Sequence, residues 1–474
     1  MSRIASAIVS VGTLRLAILG IAVGSLAPLN TWDLPTYLIV AAAAIAFAEF
    51  LSHGGLGFVA LMRAGVKTAL VVVVGFAAFL PYHLAGETFY NSVESTTNTT
   101  VLWQFLAISG LFVFIIGAFA VDELAEGVRG QFVALRRKFG RLYDVLDGED
   151  AAPVSVGWLI AVISGALLVG LALTAAFTGV VGSTVPFVFA LAVLLAAVGV
   201  GVLLRGKADA AQLGFALLLA LVSLSLVIGL DFFRVEGDID RLNSIFKFYL
   251  QVWVMLGIAS AYLLWRLFRA QRSFLARMPS VRQAWKFALA VLVLSAAIYP
   301  ALGTQDRLRD RFEGYVTPLT LNGIAFMEGS SFREHNGELI DLATDYEGIR
   351  WLQRNVQGSP IVLEAVTPSY RWAGRVSMYT GLPSVIGWQW HQEQQRAGYA
   401  YEVGRRTEAV RTIYSTQDAA QALALMRGYN VKYVYLGHLE RIYFPEGMDK
   451  FEDGLGGALE KVFDNGETAI YRVR

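Results

Sequence analysis

The sequence predicts a polytopic α-helical membrane domain of about nine transmembrane helices, followed by an extracytoplasmic, water-soluble α/β domain. Three observations predict it. The 474-residue chain is 55% hydrophobic and only 16% charged, with a mean hydropathy of +0.53, whereas soluble domains carry about a quarter charged residues. Its apolar residues arrive in runs long enough to span a bilayer. Beyond residue 302 those runs shorten to strand length and charges become frequent. A net charge of +1 gives no argument for a nucleic-acid partner. The absence of cysteine excludes disulfides, thiolate metal sites and Cys nucleophiles but leaves the compartment open.

A span needs about 20 mostly apolar residues with charges kept to its ends. Such stretches lie near 13–29, 35–51, 66–84, 101–121, 154–177, 182–204, 210–230, 244–266 and 285–302. With the N-terminus taken as cytoplasmic, seventeen Lys and Arg, among them Arg63, Lys67, Arg136, Arg137, Lys138, Arg266 and Arg282, fall on one side. The opposite short loops hold two, Arg234 and Arg241. That asymmetry expects a cell-membrane protein with its N-terminus in the cytoplasm and residues 303–474 outside. Ser25-Leu26-Ala27 resembles a signal-peptide cleavage site, but a polytopic chain rarely needs cleavage, so the first span is read as retained.

Within the membrane domain (1–302), the cytoplasmic stretch near 122–150 carries Leu124, Val128, Phe132, Leu135, Phe139, Leu142 and Leu146 at helical spacing, beside a basic cluster. It reads as an amphipathic helix, lying either on the anionic bilayer face or against the membrane domain. In the second domain (303–474), 361–365, 431–436 and 468–473 read as strands and 338–356 and 415–427 as helices. The latter helix has Ser415 and Asp418 at its start and Gly428 just past its end. Strands alternating with helices define an α/β domain.

The most informative polar residues lie at 231–251, where the chain re-enters the membrane. Asn243, Lys247 and Gln251 are four apart and share one helix face, next to Arg241. A lysine about one turn inside the bilayer usually faces a partner or a wet cavity. Two readings of it weigh equally: a cationic stripe receiving a lipid-borne phosphate, or a snorkelling lysine paired with Asp240 or Glu236. Asp231 and Glu236, above the stripe, are available to an acceptor or to a divalent cation, the one cofactor this run leaves open. Asp33, in Asn30-Thr31-Trp32-Asp33 at the outer end of the first span, is a further candidate base, set against ordinary interfacial anchoring. In the α/β domain Glu364, Arg375, Trp388, His391 and Arg396 are candidate ligand-binding residues, because several of them follow a strand. For His391 a structural role competes. P-loop, zinc, G-x-S-x-G and dinucleotide signatures are absent.

Three stretches together resemble the uncharacterised "YYY" family of prokaryotic integral membrane proteins: Asn30 to Tyr37, Arg241 to Trp253, and the run holding Gly387, Trp388, His391, Gln394 and Arg396. Ser244 stands where that pattern expects Thr, and Gln395 where it expects Trp. The family in turn resembles the GT-C glycosyltransferases, which move a sugar from a polyprenyl-phosphate carrier on the extracytoplasmic face. Asp345 to Asn355 with the strand after it is similar to the opening of their soluble domains. The resemblance implies a glycosyltransferase, or the larger part of one, with a polyprenyl-phosphate sugar and the bilayer as partners. It also expects an N-terminal region with an acidic loop that this sequence does not contain, either because the chain is truncated or because a separately encoded N-terminal half supplies it. A non-catalytic scaffold subunit and a lipid or solute transporter are the rival readings; nearly charge-free mid-span positions argue against ion coupling.

Overall fold

In the computed structural model, residues 11–55, 57–86, 92–142, 184–204, 209–269, 277–311 and 320–474 are described. The chain divides into two compact units, Met1–Ala297 and Ile298–Arg474.

Among the described residues of the chain, eight helices are long and apolar enough to cross a membrane. They are α1 (Val11–Gly24, continued by the turn Leu26–Leu29), α2 (Asp33–His53), α3 (Phe58–Ala78), α4 (Leu102–Leu142), α5 (Thr184–Leu204), α6 (Ala210–Leu230), α7 (Leu242–Arg269) and α8 (Pro279–Ile298). Each matches an expected span; the ninth expectation, 154–177, lies outside the described residues. Several boundaries differ from expectation, among them the start of α8 at Pro279 rather than 285, and two have a visible cause. The third span begins at Phe58 rather than 66, because Arg63 and Lys67 do not end the helix: Lys67 pairs with Glu49 of α2, and Arg63 donates to His53 Nε2 at 3.0 Å. The fourth span and the amphipathic segment are one continuous helix as far as Leu142, since nothing between them breaks the ladder.

The first unit's core runs through α4 to α7, with Phe105, Ile116, Phe119, Leu195, Leu224, Met255 and Leu256 all buried. The α1–α3 crossing is different in kind. A Cβ on Gly24 would stand 2.5 Å from Gly75 Cα, so both positions need the hydrogen side chain, as close helix crossings in lipid do. Many large apolar side chains on the remaining faces are exposed, among them Ile18, Val73, Phe246 and Leu294, which suits a lipid surround. At one end of this unit β1 (Val93–Ser95) pairs antiparallel with β2 (Phe233–Val235), with the Arg234–Glu94 ion pair across it at 2.9 Å.

The second unit is built on a four-stranded mixed sheet ordered β5-β6-β8-β7. Its strands are β5 (Ile361–Leu363), β6 (Val431–Leu436), β7 (Leu459–Asp464) and β8 (Ala469–Val473); β5 and β6 run parallel and the other pairs antiparallel. A small hairpin, β3 (Ser331–Arg333) with β4 (Leu339–Asp341), precedes it. The helices are α9 (Leu342–Asn355), α10 (Arg375–Thr380), α11 (Gln389–Gln395), α12 (Ala400–Ser415), α13 (Ala419–Gly428) and α14 (His438–Tyr443). The helix expected over 338–356 starts at Leu342, because 339–341 pair as β4 and Asp341 caps α9 by accepting from Ala343 N at 2.9 Å. Asp418 likewise caps α13, accepting from Ala420 N and Gln421 N, whereas Ser415 ends α12.

Candidate functional site

The sequence motif at Asn30 and the stripe on α7 meet in the first unit. Asp33 opens α2, and its Oδ1 accepts from Gln251 Nε2 at 2.6 Å, a residue 218 positions away, and from Asn30 Nδ2 at 3.0 Å. Trp32 packs edge-on against Phe248 with ring centroids 6.4 Å apart. Both bonds to Asp33 use one oxygen; among the described residues the other has no hydrogen-bond donor. Gln251 Oε1 is buried and has no hydrogen-bond partner among the described residues.

Lys247 lies one turn from Gln251 on the same face of α7, half-buried, because residues four apart stack on a helix. Neither carboxylate weighed as its partner binds it. Asp240 Oδ1 accepts from Asn98 Nδ2 at 3.2 Å, and Glu236 Oε2 accepts from Ser92 N at 3.2 Å. Among the described residues Lys247 makes no ion pair. Asn243 is exposed at the first turn of α7, where its backbone N–H donates to Asp238 Oδ1 at 2.9 Å. Asp238 Oδ2 accepts from both the backbone N–H and the hydroxyl of Ser244, at 2.7 Å each, so Asp238 caps this helix.

Asp231 and Arg241 face each other instead. Arg241 Nη1 lies 2.7 Å from Asp231 Oδ1 and donates to Leu230 O at 2.6 Å. The same carboxylate oxygen accepts from Thr100 N at 3.0 Å and Thr100 Oγ1 at 2.8 Å, and Thr184 Oγ1 donates to Thr100 O at 2.7 Å. All four residues are buried, so this knot joins the ends of α4, α5, α6 and α7. Its remaining orphan is Asp231 Oδ2. Among the described residues no three His, Cys, Asp or Glu side chains gather as metal ligands, and the acids of 231–240 are spread over separate partners.

The second unit holds a buried ionic cluster. Arg375 is 0% exposed. Its Nε donates to Asp345 Oδ2 at 2.7 Å, and Nη1 and Nη2 bind Glu440 at 3.2 and 2.8 Å. Asp345 also accepts from Trp372 Nε1 at 2.7 Å and Tyr435 Oη at 2.9 Å. Glu364 caps α10 through Val376 N and Ser377 N at 3.0 and 3.1 Å. Burial pushes the Glu364 carboxyl above its ordinary value, although Arg375 opposes the shift. Burial alone would do the same to Glu440, but the Arg375 guanidinium beside it holds that carboxyl below the ordinary range. Burial would lower Arg375, and the neighbouring Asp345 and Glu440 raise it well above its usual value. Glu364 and Arg375 are thus enclosed within the fold, at the carboxyl end of β5.

Trp388 donates from Nε1 to Ala373 O at 2.7 Å and packs on Tyr370 at 5.2 Å; His391 Nδ1 lies 3.5 Å from Tyr370 Oη. Arg396 is exposed. His391 and Trp388 therefore share a half-exposed aromatic cluster centred on Tyr370, a residue the sequence reading passed over and whose φ of 65° holds it in the left-handed region.

These features define a polytopic helical membrane protein with a polar site set into the end of its bundle and a second unit built on a mixed sheet. Residues 2–256 match the family described as Uncharacterized membrane protein (DUF2298), and the chain belongs to that family. The match contains Asp33, Lys247 and Gln251, and ends before the second unit. A search of curated proteins returns no match.

Proposed function

We propose that the chain is a GT-C-like membrane glycosyltransferase whose α2–α7 site binds a polyprenyl-phosphate-linked sugar on the extracytoplasmic face. The observation that carries this reading is Lys247: a half-buried cation in a membrane helix without a carboxylate partner among the described residues. A cation at that depth is costly unless something neutralises it, and a phosphate monoester or diester supplies two charge-assisted acceptors. The distribution of Lys and Arg supports placing this end of the bundle, and residues 303–474 as an α/β domain, outside the cytoplasm.

In this reading the phosphate sits on Lys247, with Asn243 one turn along the stripe. The free oxygen of Asp33 takes the proton from the acceptor hydroxyl as the hydroxyl's own oxygen attacks the anomeric carbon. The bond from that carbon to the phosphate oxygen breaks, its electron pair stays on the lipid phosphate, and Lys247 stabilises the charge formed there. Asn30 and Gln251 hold the Asp33 carboxylate in place. Asp231 and Arg241 act on the fold, as the pair that closes the end of the bundle.

The test is Lys247→Met, which keeps length and apolar stem while deleting the charge. Affinity for a polyprenyl phosphate in nanodiscs should fall about 10- to 100-fold, the worth of one charge-assisted hydrogen bond at roughly 1.5–3 kcal/mol. Thermal stability should hold, since no acid is stranded. Undiminished lipid affinity would remove Lys247 from the site and leave the scaffold and transporter readings.

A further inference from the structure

A cleft of about 410 Å³ opens in the second unit. It lies at the carboxyl ends of the parallel strands β5 and β6: its walls include Val366 to Ser369, directly after β5, and Tyr443 and Phe444, which end the helix after β6. Ligands of open sheets bind at such strand ends. From α11 and α12 come Gln389, Trp390, Glu393 and Arg411.

The chemistry of this lining is mixed in a specific way. Trp390 is 51% exposed, a large aromatic surface left to solvent at the edge of a cleft. Thr367 is 7% exposed, and its hydroxyl is closed off from solvent, with no hydrogen-bond partner among the described residues. Arg411 is exposed and has no partner among the described residues. Glu393 is held at Oε1 by Gln389 Nε2 at 3.0 Å, with its other oxygen open, and Ser369 Oγ accepts from Trp390 N at 3.3 Å. A plain anion would be repelled by Glu393. An apolar ligand would cover Glu393 and Arg411 without pairing them, at a cost for each polar group so buried. What satisfies all of them is a ligand with several hydroxyls, each both donor and acceptor, and one apolar C–H face to lie on an indole.

We propose that this cleft is a saccharide-binding subsite that takes a pyranose ring, stacked on Trp390 and hydrogen-bonded by Glu393 and Arg411. It stands on the cleft's own residues and does not require the α2–α7 site to bind lipid phosphate.

The experiment is saturation-transfer NMR on the detergent-solubilised full chain. The probes are glucose, galactose, mannose, N-acetylglucosamine and glucuronic acid, with tri-alanine as a peptide probe. At least one sugar should receive saturation at its ring protons. Trp390→Ala and Glu393→Gln should each weaken its affinity about tenfold or more, with melting temperatures near wild type because both residues lie at the surface or rim. Arg411→Met should likewise lower affinity and leave stability intact, since Arg411 is exposed and bonded to no described residue; a merely structural arginine would show the reverse. Lys247→Met should leave the sugar signal unchanged, so failure here and failure of the lipid reading are separable. No sugar signal at tens of millimolar, a signal indifferent to all three cleft variants, or stronger transfer to tri-alanine overturns the proposal.

Discussion

Replacing Arg375 by Met tests the reading of the buried cluster as a structural element. The side chain is fully buried and is the only cation bonded to Asp345 and Glu440 among the described residues. Its loss strands two carboxylates that the fold cannot re-expose. Removing one partner of a buried ion pair costs about 3–5 kcal/mol. Here the lower end is expected, because Asp345 keeps Trp372 and Tyr435 as donors and Glu440 keeps Gly437 N and Ala365 N. For a unit of about 180 residues, each kcal/mol moves the melting temperature by about 2–4 °C, so Arg375→Met should lower it by roughly 6–12 °C. Differential scanning fluorimetry on the solubilised full chain reads this directly. Adding Glu440→Gln should return part of the loss, since a neutral amide is cheaper to bury than an unpaired carboxylate. A single variant melting within a degree or two of wild type, or a double variant no better than the single, would refute the reasoning.

Two other predictions follow from charge. Burial pushes the Lys450 amine down to about 8, where its Nζ donates to Tyr414 O at 3.0 Å and Gly447 O at 2.5 Å. Because the unfolded chain then binds more protons than the folded one between pH 8 and about 10.5, stability of the second unit should rise with pH across that window. Lys450→Met should flatten the rise, and melts at pH 7.5, 9 and 10 compare the two slopes; equal slopes would discard the idea. For topology, a reporter active only outside the cytoplasm should be active when fused after Gly303 or Arg474 and silent within 130–150. Activity from inside 130–150 would reverse the proposed orientation.

The membrane helices were legible because each needs about twenty apolar residues, a signal no other element produces at that length. The strand Val431–Leu436 was legible for its β-branched and aromatic content. Helix α12 escaped notice although Val403, Thr407, Val410 and Tyr414 are buried at helical spacing, because Thr407 breaks the apolar stripe and five charged residues crowd the rest. The β1–β2 pair could not be read at all: three residues on each side, joined across 140 positions, carry no local pattern. Stacking Lys247 over Gln251 needed only the helical repeat. That Gln251 reaches Asp33 is a tertiary fact which no spacing encodes. In the second unit neighbouring residues of one short stretch part company. Trp388 and His391 turn to Tyr370, while Trp390 and Glu393, two positions on, line the cleft. Seven residues of helix are too few for a hydrophobic pattern to fix their phase.

The knot of Thr100, Thr184, Asp231 and Arg241 bears on how the protein is made. A chain leaving the ribosome exposes Asp231 at the end of α6 about ten residues before Arg241 can reach it. Until then the bilayer edge holds an uncompensated carboxylate, so α6 is best settled together with α7, as a helical hairpin that carries its own countercharge. Thr100 and Thr184, synthesised earlier, then receive the finished hairpin rather than α6 alone. Lesions at Asp231 or Arg241 would therefore surface as protein lost to quality control during biogenesis, and a dead variant at either position would say nothing about chemistry.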